Sequence, residues 1–345
     1  MIPDHLWLAP AEWLPNEAEK TADALAADRI TAEEAESMGY EQLPVAGEES
    51  APELAVRAAR RALRKSGTRA GELSAVLHAS TYYQGHDFWS PAHFVAAELG
   101  AEQAVPMGVQ QMCNGAAAAL QAAVHRLDEI GVGPVLATTA DRFAAPGFDR
   151  WGGDYGVWYG DGATAAVIGR GGTPAHVPPG ALVLRALVTQ AAPALESAHR
   201  DLEAFHPAPH TRSDVVDVRR TKKAFLARYG RTEFLDHLRR RTSEVLAEAL
   251  TAAGPGTGPL RAVLLPRLGR TTAREVYGPA VAEVTDAPVL DLGERTGHLG
   301  AGDLFANLTA LCAEDGPAQL APGESAAVLS AGAGFTWTAA VVRRR

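Results

Sequence analysis

The sequence predicts an α/β fold built from two duplicated halves, each with its own mixed sheet. Three observations predict it. A helix followed by a buried strand occurs twice, similar spacings lead from each strand to a glycine-rich helix start, and each half ends in a run of small residues. Segments that match in the same order indicate a duplication rather than a coincidence.

The first repeated unit is an amphipathic helix and the strand after it. APELAVRAARRALRKSG (51–67) precedes LSAVLHAS (73–80), and RTSEVLAEALTAAG (241–254) precedes LRAVLLPR (260–267). In both copies a glycine separates a segment with apolar residues at helical spacing from a short apolar run that begins Leu-x-Ala-Val-Leu. We therefore expect two equivalent helix–strand pairs.

The second repeated unit is a helix start at nearly the same distance in both halves. Cys113 lies 40 residues after Leu73, and His298 lies 38 residues after Leu260. Each opens a helix-like run rich in glycine and alanine, CNGAAAALQAAVHRLDEIG in the first half and HLGAGDLFANLTALCAED in the second. Cys113 and His298 are therefore expected at equivalent corners.

Matching strands complete each half. GPVLATTAD (133–141) and ESAAVLSAG (324–332) read as buried strands, and hairpin-like segments of small residues follow at 159–170 and 331–344.

The two halves are predicted to divide the chain at residues 1–172 and 173–345. Their connection, roughly 171–240, contains TPAHVPPG and FHPAPH and is expected to carry loops over the active face.

Composition limits the class of protein. The chain has 345 residues, 47% of them hydrophobic, and a net charge of −9, with twelve acidic and two basic residues among the first 50. The acidic segment reads as a solvated face and disfavours nucleic acid. No signal peptide or membrane-spanning run is apparent, so a cytoplasmic protein that does not bind membranes is expected.

Only two cysteines occur, so a disulfide framework is not expected. There is no zinc motif, no Walker A motif and no intact GxGxxG after a strand. We expect neither a metal nor a bound cofactor.

Cys113 is the candidate nucleophile. In VPMGVQQMCNGAAAALQ it stands where an apolar strand ends and a helix begins, and the positive end of a helix dipole favours a thiolate. The alternative is a buried cysteine that packs as a small hydrophobic residue, which is the expectation for Cys312.

His298 and Asp303, within GHLGAGD (297–303), are the candidate base and its orienting acid. If the halves pack about a pseudo-twofold axis, the two helix starts converge, and a nucleophile, a base and an acid suited to acyl transfer meet there. The alternatives are an ordinary core or loop histidine and an aspartate that caps the following helix.

The sequence resembles the thiolase superfamily, and within it the β-ketoacyl-ACP synthase III group, over nearly the whole chain. QQMCNGAAAALQAA, YGDGATAAVIGR and AGAGFTWTAAVVRR carry the resemblance. It implies a five-layer αβαβα thiolase fold, a homodimer, acylation of Cys113, and an oxyanion hole formed by the backbone N–H groups of Cys113 and Ala333.

Two departures from that family bear on the reaction. Condensing members have a histidine in a motif like HQAN and an asparagine in a motif like GNTxAAS; here Arg267 and His298 take those places. A guanidinium stays protonated and does not replace a neutral histidine. The set Cys113, His298 and Asp303 resembles acyltransferases of polyketide and other natural-product (antibiotic) pathways that acylate a hydroxyl or amine, such as a sugar. A starter-unit ketosynthase and a non-catalytic carrier-binding homologue are the alternatives.

The donor is expected to be an acyl carrier protein or CoA thioester. A basic motif like TRTGIxxR, typical of CoA-using members near residues 30–40, is missing, which favours the carrier. The carrier-docking candidates are Arg219, Arg220, Lys222, Lys223, Arg267, Arg270 and Arg274. Solvated helix faces are the alternative interpretation.

An aromatic segment, STYYQGHDFWSPAHF (80–94), follows the first strand. The acceptor-site candidates in it are Tyr82, Tyr83, His86 and Trp89. Interface packing is an equally good interpretation.

Overall fold

The structure is a computed structural model, and it describes residues 6–129, 131–171, 177–208 and 211–345. Within those ranges the strands are β1 Leu6–Trp13, β2 Ala18–Lys20, β3 Gln42–Pro44, β4 Ala75–Ala79, β5 Val105–Val109, β6 Val135–Asp141, β7 Gly162–Arg170, β8 Leu182–Ala191, β9 Leu260–Leu264, β10 Val289–Leu290, β11 Ser325–Gly332 and β12 Thr336–Arg344. The α-helices are α1 Thr21–Ala26, α2 Ala32–Met38, α3 Ala51–Ser66, α4 Pro91–Leu99, α5 Gly115–Arg126, α6 Val218–Tyr229, α7 Arg231–Ala253, α8 Arg270–Thr272, α9 Gly278–Ala282 and α10 Asp303–Leu311. A π-helical turn, Ala273–Tyr277, joins α8 to α9.

The strand order shows the predicted duplication. In the described residues the main sheet runs β10-β9-β11-β12-β8-β1-β7-β6-β4-β5. In the first half β4 pairs in parallel with β5 and β6, and the pairs β6–β7 and β7–β1 are antiparallel. In the second half β9 pairs in parallel with β10 and β11, and the pairs β11–β12 and β12–β8 are antiparallel. The two halves therefore have the same topology, and they join where β1 pairs with β8.

Alternating side chains of the strands place the helices in layers. Leu77 of β4 packs with α5 and α10, while its neighbour Val76 faces α3 and α4. In β11, Val328 faces α5 and α10, while Leu329 faces α7 and α9. Because successive side chains of a strand point to opposite faces, this pattern gives helix, sheet, helix, sheet and helix layers. The five-layer αβαβα prediction is confirmed.

The helix that opens the first repeat begins and ends where the sequence signals it. Ser50 and Glu53 form a reciprocal capping box at the N-terminus of α3, and Gly67 ends the helix with a φ of 69°. The small residues Ala55, Ala58 and Ala62 are fully buried along its inner face, which brings its backbone close to the sheet.

The connection between the halves is more regular than a set of loops. Its described residues contain β8, a 3₁₀ helix at Pro193–His199, α6 and the start of α7. Residues 200–208 and 211–217 lie in neither helices nor strands, and several of them line cavities described below. The predicted boundary between residues 172 and 173 lies outside the described residues. No helix in the described ranges combines the length and the hydropathy that a membrane crossing requires.

Candidate active site

Cys113 lies in a tight turn between β5 and α5. Residues Met112–Asn114 form one 3₁₀ turn, and α5 begins at Gly115. Met112 has a φ of 47°, a left-handed conformation that non-glycine residues rarely adopt and that marks a strained turn. The thiol is free and half-buried. A cysteine at the start of a helix, as the sequence predicts, is therefore present with access to the cavity.

The C-terminal hairpin fixes this turn from the second half of the chain. The Asn114 side-chain amide donates hydrogen bonds to the hydroxyls of Thr336 (3.0 Å) and Thr338 (2.9 Å) on β12. A Cβ at Gly332 would lie 2.5 Å from the backbone nitrogen of Asn114, so only glycine allows this approach. Sequence reasoning missed Asn114 because its partners are more than 200 residues away.

His298 and Asp303 form a buried pair. Nδ1 of His298 lies 2.6 Å from Oδ2 of Asp303, and both residues are at most 2% exposed. The backbone N–H groups of Arg267 and Leu299 donate to the same carboxylate at 2.8 and 2.9 Å. Asp303 therefore does not cap α10, whose N-cap is Gly302; it orients the imidazole instead.

Local charges control the protonation of this pair. Burial alone would lower the pKa of His298, but the negative charges of Asp303 and Cys113 outweigh it and raise that pKa well above its usual value. Burial would raise the pKa of Asp303, yet the facing His298 and then Arg267 lower it. An imidazolium beside an ionised carboxylate is therefore the favoured state.

The cysteine and histidine corners meet. A Cβ on Gly115 would lie 3.0 Å from the Cβ of Ala301, so the starts of α5 and α10 are in contact. Cys113 and His298 line one cavity. Nε2 of His298 is buried and forms no hydrogen bond of ordinary geometry with a described residue. The nearby sulfur of Cys113 raises the pKa of the imidazole through its charge and, to a smaller extent, as a hydrogen-bond acceptor.

Tyr159 supports the histidine from the other side. Its ring centroid lies 5.3 Å from that of His298, and its hydroxyl donates to Asp154 at 2.6 Å. Lys222 donates to the other oxygen of the same carboxylate at 2.7 Å. Burial raises the pKa of Asp154, but the charge of Lys222 outweighs it, and the carboxyl stays ionised. Lys222 thus belongs to the cavity wall.

Asp141 is a further buried carboxylate that the sequence did not single out. It accepts hydrogen bonds from the backbone N–H groups of Thr81, Tyr82 and Ala301. It therefore joins the loop after β4 to the turn that follows His298. Burial raises its pKa to about 6, and the three donors only partly offset that effect.

Arg267 does not have the predicted docking role. It is 4% exposed, and its guanidinium donates to Asn307 at 3.1 Å and to Thr296 at 2.9 Å. It is not among the residues that line the cavity of Cys113. A buried, fully engaged arginine has no surface to offer a carrier, so it acts as an internal clamp.

The other basic candidates frame the mouth of the cavity or lie near it. Arg219 pairs with Glu34 of α2, and Arg220 pairs with Glu203. Arg270 is half-buried and donates to the carbonyl of Gly39. Lys223 and Arg274 are exposed, with no ion pair to any described residue. Lys222 is wrong as a docking residue, because its side chain is only 14% exposed and is paired with Asp154.

The catalytic cavity has a volume of about 640 Å³. It is lined by α2, the start of α6 and the segment around Thr272, and also by Cys113, His298 and Ala333. The oxyanion-hole role of Ala333 stays a prediction. Within the described ranges, no group of three His, Cys, Asp or Glu side chains is arranged to hold a metal ion.

The four acceptor-site candidates lie in different parts of the structure. Tyr82 lines the catalytic cavity and packs edge-on against Phe148, with ring centroids 5.3 Å apart. Tyr83 is 52% exposed and lines a neighbouring cavity. The rings of His86 and Trp89 have centroids 5.5 Å apart, and neither residue lines either of the two cavities, so their acceptor role stays a prediction.

The chain is similar to known proteins over the same regions. Residues 107–179, which include Cys113, match the family described as 3-oxoacyl-[acyl-carrier-protein] synthase III. A β-ketoacyl-[acyl-carrier-protein] synthase III from Roseiflexus castenholzii is 26% identical over 293 residues, covering 84% of this chain and 82% of that protein.

Two solved structures extend the similarity to nearly the full length. ChlB3, described as an acyltransferase, is 28% identical with a TM-score of 0.86, covering 99% of this chain and 98% of that one. AbyA1, a tetronic acid condensing enzyme, is 21% identical with a TM-score of 0.76, covering 98% and 99%, which shows a shared fold. Taken with the duplicated topology and the cysteine at the start of α5, these similarities make the chain a β-ketoacyl-ACP synthase III-like protein with the thiolase-superfamily fold.

Proposed function

We propose that this enzyme transfers an acyl group from a carrier-protein or CoA thioester, through an acyl-Cys113 intermediate, to the hydroxyl or amine of an acceptor. One observation carries the proposal. Nδ1 of His298 is held by Asp303 at 2.6 Å, while Nε2, on the opposite side of the ring, forms no hydrogen bond of ordinary geometry with a described residue and lies in the cavity of Cys113. A histidine held in this way is suited to proton transfer.

The first half-reaction uses the charged pair. The Cys113 thiolate attacks the thioester carbonyl, and the tetrahedral intermediate collapses as the C–S bond to the carrier breaks. The imidazolium of His298 gives its proton to the departing thiolate, so the carrier leaves as a neutral thiol and His298 becomes neutral. The raised pKa of His298 supports this starting state, since it keeps the imidazole protonated before the donor binds.

The second half-reaction needs a base, and acylation supplies one. Once the sulfur is acylated its negative charge is lost, which removes one of the causes that raise the pKa of His298. The neutral imidazole then takes the proton of the acceptor O–H or N–H as that atom attacks the acyl carbonyl. Breaking the bond to sulfur restores the thiolate and the imidazolium.

Two backbone N–H groups are the proposed oxyanion donors in both steps. They belong to Cys113 and Ala333, which both line the cavity. The close contact between Gly332 and Asn114 supports this assignment, because it joins the turn before Ala333 to the turn that carries the nucleophile.

The position of Arg267 weighs against the starter-unit ketosynthase alternative. Stabilising the enolate of a decarboxylated malonyl group requires donors directed at the thioester carbonyl. Arg267 instead donates to Asn307 and Thr296, and it does not line the cavity of Cys113.

The mouth of the cavity suits a pantetheine arm. It is framed by α2, α6 and the residues around Thr272, and the exposed cations Lys223 and Arg274 lie on two of these elements. An acidic carrier protein would be attracted to such cations. We further propose a homodimer through β5, an edge strand of the main sheet whose Val105 and Met107 are each 50% exposed.

Intact mass spectrometry tests the proposal. The enzyme is incubated with acetyl, malonyl and long-chain acyl groups, each offered on CoA and on a carrier protein. At least one donor should add its acyl mass to Cys113, and Cys113→Ser should lose this rapid loading by about 10³-fold or more. Failure of every donor would leave the chain as a non-catalytic binder. Native spectra of the same samples should show a dimer; a monomer at micromolar concentration would contradict the β5 interface.

A further inference from the structure

A second cavity adjoins the catalytic one. Its volume is about 830 Å³. It is formed by the loop after β4, the loop 142–147, His206, Ala208 and the segment 212–218. The two cavities share the residues Tyr82, His199, Val216 and Val218. The second cavity is therefore a direct neighbour of the cavity that Cys113 lines.

The second cavity has an apolar lining interrupted by charged side chains. Arg142 is already engaged by the carbonyls of Gly47 and Glu49, and Arg212 is paired with Glu203. Three carboxylates also line it: Asp217 is paired with Arg220, whereas Asp87 and Asp214 are exposed and form no ion pair with any described residue. Unpaired carboxylates accept hydrogen bonds from hydroxyl groups.

His199 connects the two spaces. Its Nδ1 is buried without a hydrogen-bond partner in the described residues, although a buried ring nitrogen is ordinarily bonded. Its ring lies against Phe335, with centroids 5.7 Å apart, which fixes its orientation.

The protonation of His199 suits a hydrogen bond with a neutral ligand. Burial, followed by the charge of Lys222, lowers its pKa to about 4, and Asp154 only partly offsets them. The ring is therefore neutral near pH 7, with one nitrogen that donates and one that accepts a hydrogen bond.

We propose that the second cavity is the acceptor's route to acyl-Cys113, and that it binds a hydroxyl-rich acceptor through His199, Asp87 and Asp214. The inference rests on the proposed acyltransferase function. The donor's arm occupies the mouth framed by α2 and α6, whereas the acceptor enters between the loop after β4 and segment 212–218. Each substrate of the two half-reactions thus has its own path to the same sulfur.

Blocking each path separately tests this assignment. Ala144→Trp narrows the second cavity, and Thr272→Trp narrows the donor mouth. Ala247→Trp, on the exposed face of α7 and outside both linings, is the matched control. Each variant is loaded from the donor that acylates Cys113, freed of donor, and mixed with methyl α-D-glucopyranoside or ethylene glycol as hydroxyl probes. Loading and loss of the acyl mass are followed separately.

The two blocks should affect different half-reactions. Ala144→Trp should load within about twofold of wild type and transfer to the glucoside at least about tenfold more slowly, and Thr272→Trp should load about tenfold more slowly. Wild-type transfer by Ala144→Trp, or a parallel loss of loading and transfer, would overturn the route. Ser213→Trp, across the cavity, replaces Ala144→Trp if that variant does not fold. A wild-type acyl-enzyme that neither probe consumes would instead reject the acyltransferase function, and the route with it.

His199 has its own test. His199→Ala should raise the glucoside concentration needed for half-maximal transfer about tenfold without a matching change in loading. His199→Gln, which keeps a donor and an acceptor, should restore part of that loss. Equal behaviour of the two variants would show that His199 only fills space.

Discussion

The two helix-start corners have the same frame and different chemistry. In each, a 3₁₀ turn, Met112–Asn114 or Gly300–Gly302, leads into a central helix, α5 or α10. In the first corner the reactive residue stands in the turn itself, half-buried. In the second, His298 stands two residues before the turn and is 2% exposed.

This difference follows from what each group must do. A nucleophile has to reach a substrate carbonyl, so Cys113 needs access to the cavity. A base that depends on a carboxylate gains from burial, because the charge of Asp303 acts more strongly on the imidazole where water does not screen it. Duplication therefore supplied two equivalent positions, and the side chains at those positions divide the reaction between them.

The largest effect should come from removing the base. His298→Gln should slow transfer from acyl-Cys113 by about 10²- to 10⁴-fold, because a hydroxyl acceptor must lose its proton as it attacks. Loading should slow less, because a thiolate can leave without full protonation, although it no longer receives the proton of the imidazolium. Stopped-flow loading and chase measurements with the hydroxyl probes would separate the two. An equal loss in both half-reactions would show that His298 does not act chiefly as the base.

A smaller effect should come from removing the carboxylate that orients the base. Asp303→Asn takes away a charge that raises the pKa of His298, so that pKa should fall. The imidazolium is then lost at lower pH, and the alkaline decline of the loading rate should move to lower pH by the same amount. Transfer should slow by up to about 10²-fold. Rate–pH profiles of both half-reactions between pH 6 and 10 give the comparison, and an unshifted decline would contradict the coupling.

The smallest effect should come from a substitution that adds a methyl group between the two helix-start corners. A Cβ on Gly115 would lie 2.8 Å from that of Ala79 and 3.0 Å from that of Ala301, so Gly115→Ala should destabilise the fold by about 1–3 kcal/mol. Gly71→Ala is the matched control, because nothing lies within 4 Å of its added Cβ. Denaturant unfolding of both variants would measure this. Similar stabilities would mean that the corners do not pack as described.

Local patterns were enough to predict the duplicated halves and the two corners, whereas the five layers were implied by the resemblance to the thiolase superfamily. The apolar periods at 51–67 and 73–80 correspond to α3 and β4, and the helix starts near Cys113 and His298 lie at equivalent positions. These features depend on residues close in the chain. In the connection 171–240 the stretches rich in proline and histidine indicated loops, and β8 between them and α6 after them were not predicted.

Residues whose role depends on distant partners were not predicted. Lys222 reads as part of a basic helix face, but Asp154, 68 residues away, draws it into the cavity. Arg267 reads as a docking cation because nothing nearby in the chain indicates that Asn307 and Thr296 enclose it. Asn114 has no local signal at all, since both of its partners lie on β12.

The central claim is that the acyl group passes to a heteroatom without decarboxylative carbon–carbon bond formation. Its most direct test loads Cys113 with the acyl group that the enzyme accepts, confirms the adduct by mass, and adds malonyl-CoA and malonyl-carrier protein labelled at the free carboxyl. The account predicts labelled carbon dioxide no higher than with Cys113→Ser. Labelled carbon dioxide above that background, together with a 3-ketoacyl product, would show that the enzyme condenses and would contradict the account.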